Sequence, residues 1–410
     1  MSIKKKYIII AVSTVLFIAA IGAGWYQTAS TTKIALLNFQ PFQVSNIALS
    51  NSDKMVRYKV VSVEEIEKLK RYDFVLGFGM GLKLSEAQRF EIQTMMDKGK
   101  PVYIYAATTP ENNICNLDSV NLSQIAAYLE RGSKVNYQNL ARYIRKNIDK
   151  KVFFTKQPQA PIENVTEALF HVDENLAFET VSDYEAYIRK HNFYHEGGEK
   201  VVVFTGIHDP FSGNKEHLDS LIVSLQRSGL NVYPITSKQK RIDFLEKIQP
   251  AAVIYFPHGR LLSGQPDDAV NWLKKRNIPI FTPLSILQLK EDWMQDPMGM
   301  FGGFMGQTIV MPELDGAIYP YVLVAQEKYS DKLFVFRTIP DRLKSFTTIV
   351  NNFINLKHKK NADKRVAIYY FKGAGQETLA AQGLETVPSL YNFLKRLRAE
   401  GYRVDNLPAT

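Results

Sequence analysis

Short apolar runs alternate with longer amphipathic stretches through most of residues 33–281, and this alternation is the strongest constraint on the fold. Lys33–Phe39, Arg57–Ser62, Phe74–Gly77 and Pro101–Tyr105 read as strands. Between and after them, Val63–Arg71, Ser85–Lys98 and the stretches near 121–132 and 136–149 read as helices, with Ser85 as an N-cap. A second series follows the same rhythm. Lys200–Phe204, Asn231–Pro234, Ala251–Phe256 and Pro279–Phe281 are its strands, and helices fall near 215–229, 238–247 and 267–275. Continuous runs such as Val201-Val202-Val203-Phe204 belong to strands covered on both faces, as in parallel sheets.

The expected fold class is therefore α/β, with two doubly wound, flavodoxin- or Rossmann-like parallel-sheet domains at 33–150 and 199–345. The segment 151–198 connects them and is less regular. A third unit starts late, at 365–410, with a strand at Arg365–Phe371, a helix at Val387–Glu400 and another strand opening at Tyr402–Asn406. An α/β domain cannot be completed in so few residues, so the chain reads as the N-terminal part of something longer.

Residues Tyr7–Tyr26 carry no charge and directly follow Lys4-Lys5-Lys6. A run of that length matches the roughly 20 residues that cross about 30 Å of hydrocarbon. The flanking lysines place residues 1–6 in the cytoplasm by the positive-inside bias, and the bulk on the periplasmic side of the cytoplasmic membrane. A cleaved secretory signal is the alternative reading, and it too exports the chain.

Composition narrows the chemistry. The single cysteine, Cys115, excludes an internal disulfide and a thiolate zinc site. The net charge of +10 is spread rather than gathered into one tract, which argues against nucleic acid as a partner and for an ordinary basic surface. No Walker loop, HExxH or GxSxG occurs. Gly77-Phe78-Gly79-Met80-Gly81 lacks the spacing of a dinucleotide-binding turn and reads as a plain connection.

Two histidines stand out by position. His208 follows the strand ending at Phe204, and His258 follows the strand ending at Phe256, with Arg260 beside it. Ligands of open α/β sheets bind outside the carboxyl ends of the strands, so both are placed to meet one. An imidazole there can ligate a metal or move a proton. His217, inside a helix, and His358, in a basic run, read as surface residues. Glu313 and Asp315 flank Leu314 before Gly316; they could orient a loop or coordinate a cation, and a tight turn is the simpler reading.

From about residue 199 onward the order of segments resembles the CobN/magnesium chelatase H-subunit family. The resemblance rests on the Val201–Phe204 strand with Ser228-Gly229-Leu230-Asn231-Val232, on Pro250–Ile254, and on Ile278–Phe281 with the Trp293 segment. Its most specific element is Val310-Met311-Pro312-Glu313-Leu314-Asp315-Gly316, similar to the family's PELDG block. Gly383–Leu390, continuing to Leu407-Pro408, resembles the segment that opens the family's next domain.

The resemblance implies a tetrapyrrole substrate held in a large cavity, most of which lies beyond Thr410, and a metal inserted or removed there. In the chelatases, ATPase partners in the cytoplasm drive insertion. An extracytoplasmic chain lacks them, so the expectation is the membrane-anchored HmuS-type branch. That branch removes iron from haem and acts with haem-uptake components; a cobaltochelatase subunit or a haem- or corrinoid-binding carrier are the alternatives. Under this reading His258 and His208 are the catalytic candidates, and Arg260, Glu313 and Asp315 contact the ligand. The metal ligands are undefined, iron is expected over cobalt or magnesium, and the chain by itself is expected to be inactive.

Overall fold

The computed structural model describes residues 3–172, 176–300, 302–330, 333–369, 380–381 and 384–408. The chain divides into two compact units, residues 1–344 and 345–410.

The first element, α1 (Ile3–Ala29), contains the uncharged run, yet the transmembrane anchor expected at 7–26 is corrected. Among the described residues no helix is long and apolar enough to cross a membrane. Ser13, Thr14, Gly22 and Gly24 dilute the apolar run of α1. Its last turn is also bound to protein: Ala29 is buried, Trp25 packs on Phe154 at 5.8 Å, and Arg145 Nη1 donates to the Ser30 carbonyl at 2.6 Å. The single-pass placement in the cytoplasmic membrane and the membrane as a partner fall with the anchor.

The first sheet is built from β1 (Thr32–Leu37), α2 (Pro41–Ser50), β2 (Val56–Val61), a 3₁₀ turn at Val63–Arg71, β3 (Phe74–Phe78), α3 (Glu86–Asp97), β4 (Val102–Tyr105) and β5 (Ile114–Cys115). α4 (Ser119–Arg131) and α5 (Lys134–Tyr143) close it. Its order is β2-β1-β3-β4-β5, parallel except for β5. Alternate residues of β1 and β3 supply two separate cores: Ile34, Leu36 and Phe74 on one face, Ala35, Leu37 and Val75 on the other. This is the signature of a parallel sheet with helices on both sides. Ser85 caps α3 as expected, accepting from the Gln88 amide at 3.2 Å while Gln88 reaches back to the Ser85 amide.

The second sheet has eight strands. β6 (Ala168–Phe170) and β7 (Ala177–Phe178) arise from the segment that looked irregular, followed by α6 (Val181–Lys190) and β8 (Lys200–Phe204). Next come α7 (Glu216–Arg227), β9 (Asn231–Thr236), α8 (Arg241–Ile248), β10 (Ala252–Tyr255), α9 (Pro266–Arg276) and β11 (Ile280–Leu289). The short helices α10 (Lys290–Gln295), α11 (Gly302–Met305) and α12 (Met311–Glu313) lead to β12 (Pro320–Ser330) and β13 (Leu333–Thr338). The order β13-β12-β11-β10-β8-β9-β6-β7 is parallel from β12 to β9, with antiparallel strands at both edges. The two sheets meet inside one unit where Ser45 of α2 bonds the Phe334 carbonyl of β13.

In the second unit, α14 (Thr386–Ala399) agrees with the expected helix; α13 (Pro340–His358) and a two-residue pair, β14 (Ala380–Ala381) with β15 (Leu384–Glu385), precede it. Residues 364–369 are not a strand, and 370–371 lie outside the described residues. Tyr402–Asn406 is irregular as well: Arg398 Nη2 holds the Val404 carbonyl at 2.8 Å, and the segment pairs with no strand among the described residues.

Candidate functional site

The carboxyl ends of β8 and β10 carry the two candidate histidines. β8 and β10 pair directly in parallel, so His208 and His258 do follow neighbouring strands. The loop after β8 turns through Gly206 at φ +60°, where an added Cβ would lie 1.9 Å from the Phe256 carbonyl oxygen. Only glycine permits this approach of two backbones.

That turn sends His208 inward. Its Nε2 lies 2.8 Å from Ser285 Oγ, and its ring packs edge-on against His217 at 4.4 Å, Phe256 at 5.1 Å and Phe336 at 5.3 Å. Ser285 stands at a register shift of β11, a bulge that turns its hydroxyl toward the loop. Burial pushes the His208 imidazole down to about 3 from its ordinary 6.5, so it is neutral across the physiological range. The expectation of a surface position for His217 is corrected: it is fully buried, neither ring nitrogen has a hydrogen-bond partner among the described residues, and desolvation drives its pKa down as well. A signal for this existed in the sequence. His217, Leu218, Leu221, Ile222 and Leu225 repeat with helical spacing and form the buried face of α7.

His258 has the opposite environment. Its peptide N–H donates to the Tyr255 hydroxyl at 3.1 Å, and its side chain is exposed. Two residues on, Arg260 Nε donates to Asp315 Oδ1 at 2.7 Å, and the Leu261 amide donates to Asp315 Oδ2 at 2.6 Å. Gly259 N–H reaches the Gln307 carbonyl at 2.7 Å. The loop after β10 is thus clamped by the segment 307–315, with Asp315 buried and Glu313, on the adjoining turn, exposed to solvent. The structure brings His258, Arg260 and Asp315 into one loop cluster and leaves His208 interior to it. Sequence reasoning missed Ser285, Gln307 and Phe336, which reach the site from distant segments and carry no local pattern.

The arrangement offers an exposed imidazole able to exchange a proton, an arginine oriented by a carboxylate, and a free carboxylate at Glu313. Among the described residues no group of three or more His, Cys, Asp or Glu side chains is placed to hold a metal ion.

A family model described as CobN/Magnesium Chelatase matches residues 126–410. The H subunit of magnesium chelatase from Chlorobaculum parvum is 25% identical over 311 residues, which is 71% of this chain and 23% of that protein. The aerobic cobaltochelatase subunit CobN of Pseudomonas aeruginosa is 25% identical over 144 residues, 33% of this chain and 12% of that one. Among solved structures, the catalytic subunit of cobaltochelatase from Mycobacterium tuberculosis superposes with a TM-score of 0.61 at 19% identity, covering 92% of this chain and 32% of that one. The chain therefore spans less than a quarter of these two curated relatives.

Proposed function

The chain belongs to the CobN/magnesium chelatase family, and on that footing we propose that it forms the N-terminal part of a large subunit that binds a tetrapyrrole and exchanges its metal. The observation that carries the reading is the use made of the Val310–Gly316 block. Asp315 within it holds the loop after β10, so the block that resembles the family's PELDG segment supports the strand-end loop where α/β sheets take ligands.

In this reading His258, the exposed imidazole, passes protons to or from pyrrole nitrogens during metal exchange. The guanidinium nitrogens of Arg260 that Asp315 leaves unused pair with a tetrapyrrole carboxylate. Glu313 faces solvent beside them and meets the ligand or its metal. His208, neutral and bonded to Ser285, sets the loop's position, and would ligate a metal only if that bond were given up.

Removal of iron from haem and insertion of cobalt are the two directions. The first was expected from the anchor, which also supplied the argument for haem-uptake partners and against ATPase subunits. Without it the two directions stand level, and relatives named as cobaltochelatase and magnesium-chelatase subunits keep insertion in play. The full-length protein, incubated without oxygen with haem and a reductant, tests the first by the fluorescence of metal-free porphyrin. The same protein with a metal-free tetrapyrrole, cobalt or magnesium, ATP and partner subunits tests the second. Binding without turnover in both arms would overturn metal exchange and leave a carrier.

A further inference from the structure

The ten methionines of the chain are unevenly placed. Five of them, Met294, Met298, Met300, Met305 and Met311, fall in the segment that leads from β11 to β12. Met294 and Met298 are 69% and 73% exposed, and Met305 and Met311 are 38% and 40% exposed. Met300 is half-buried: it packs on the small apolar cluster of Ile286, Ala325 and Ile339, and its Sδ lies 3.2 Å from Thr308 Oγ1.

The segment is thinly packed. α11 and α12 are joined by a π-type turn at Gly306–Val310, and a Cβ added at Gly299, Gly302, Gly303 or Gly306 would meet no atom within 4 Å. Yet this segment carries the clamp on the loop after β10. The Gln307 carbonyl holds the Gly259 amide at 2.7 Å, and Asp315 holds Arg260 and the Leu261 amide. Met305 and Met311 flank Gln307, and Met311 lies about one helical turn before Asp315.

We propose that Met294, Met298, Met305 and Met311 form an oxidation site for peroxides, and that their conversion to sulfoxides loosens the clamp. The thioether sulfur attacks one oxygen of hydrogen peroxide. The O–O bond breaks as the S–O bond forms, the sulfur gives up two electrons, and water leaves with both peroxide protons. The product is polar where the thioether was apolar. At Met305 and Met311, each more than half covered, it has to give up packing on either side of Gln307. The site is independent of the tetrapyrrole reading and stands or falls without it.

Hydrogen peroxide is the probe, and the 410-residue chain is the protein. Peptide mass spectrometry should find sulfoxide at all four positions at doses that leave the buried Met95 of α3 a thioether. Hydrogen exchange at the Gly259 and Leu261 amides should then quicken roughly tenfold, the scale of one lost hydrogen bond. Methionine sulfoxide reductases A and B should reverse it. Met80, also exposed but in the loop after β3, is the control: Met80→Leu should leave the response unchanged. Met294→Leu, Met298→Leu, Met305→Leu and Met311→Leu together should abolish it, leucine being close to methionine in volume. Oxidation of the four no sooner than Met95, or sulfoxide at all four with unchanged exchange at Gly259 and Leu261, overturns the proposal. So does a four-leucine chain that responds to peroxide as the parent does.

Discussion

Arg260 and Asp315 form a 2.7 Å ion pair in which the carboxylate is almost wholly buried, and the same carboxylate also takes the Leu261 amide. One acid closes the loop after β10 onto the turn before β12, so the pair is a clamp between two loops before it is anything else. Removing the acid leaves the guanidinium and an amide without their acceptor in a desolvated place. Asp315→Ala is expected to cost about 3 kcal/mol, the scale for breaking a buried pair from one side. Urea unfolding of the variant measures it, and a loss below about 1 kcal/mol would contradict the clamp.

The buried histidines predict acid sensitivity with a definite sign. The folded protein holds His208 at about 3 against an ordinary 6.5, and His217 is displaced in the same direction. Below about 6.5 the unfolded chain binds protons that the folded protein refuses. The stability contributed by neutral His208 and His217 is therefore complete above about 6.5 and is lost progressively as the pH falls from there toward about 3. His217→Leu, which replaces two unpartnered nitrogens with apolar volume, should flatten this dependence without lowering stability at neutral pH. Urea midpoints at neutral and mildly acidic pH decide it.

Gly206→Ala should be among the most damaging single-methyl additions in the second sheet. The new Cβ would sit 1.9 Å from the Phe256 carbonyl, at a φ of +60° that side chains rarely adopt. The loops after β8 and β10 must separate, at a cost of at least about 2 kcal/mol. The His208–Ser285 hydrogen bond should break with them, visible as a shift of the His208 imidazole resonances toward ordinary titration.

His258→Ala should separate function from folding. The side chain is exposed and only its backbone is bonded, so stability should change by no more than about 0.5 kcal/mol. In the full-length protein the same variant should slow tetrapyrrole metal exchange by at least about tenfold, if the imidazole carries a proton in that step. Unchanged turnover would remove His258 from the chemistry.

Some of this was readable along the chain because it depends on neighbours in sequence. β1–β4, β8–β11 and the helix cap at Ser85 follow from local patterns, periods of two and 3.6 residues above all, which each segment enforces by itself. The edge hairpin β12–β13 was not legible. Its strands mix Gln326, Glu327, Lys328 and Arg337 with apolar residues, because strands at and next to a sheet edge are covered unevenly and lose the clean pattern of central ones. The N-terminal run shows the reverse failure. Its lack of charge suggested a span, while the structure ties its last turn to Arg145 and Phe154, residues more than a hundred positions away.

The sequence by itself determined the α/β class, the order of the central strands and helices, and the resemblance to its family. Tertiary structure alone decided what Asp315 holds, that His208 and His217 are buried against each other, and that Ser285 meets His208. The division has a physical cause. Periodicity is set by backbone geometry inside one element, whereas a hydrogen bond between residues 260 and 315 exists only after the intervening chain has closed. Nothing in either residue's neighbourhood records that closure.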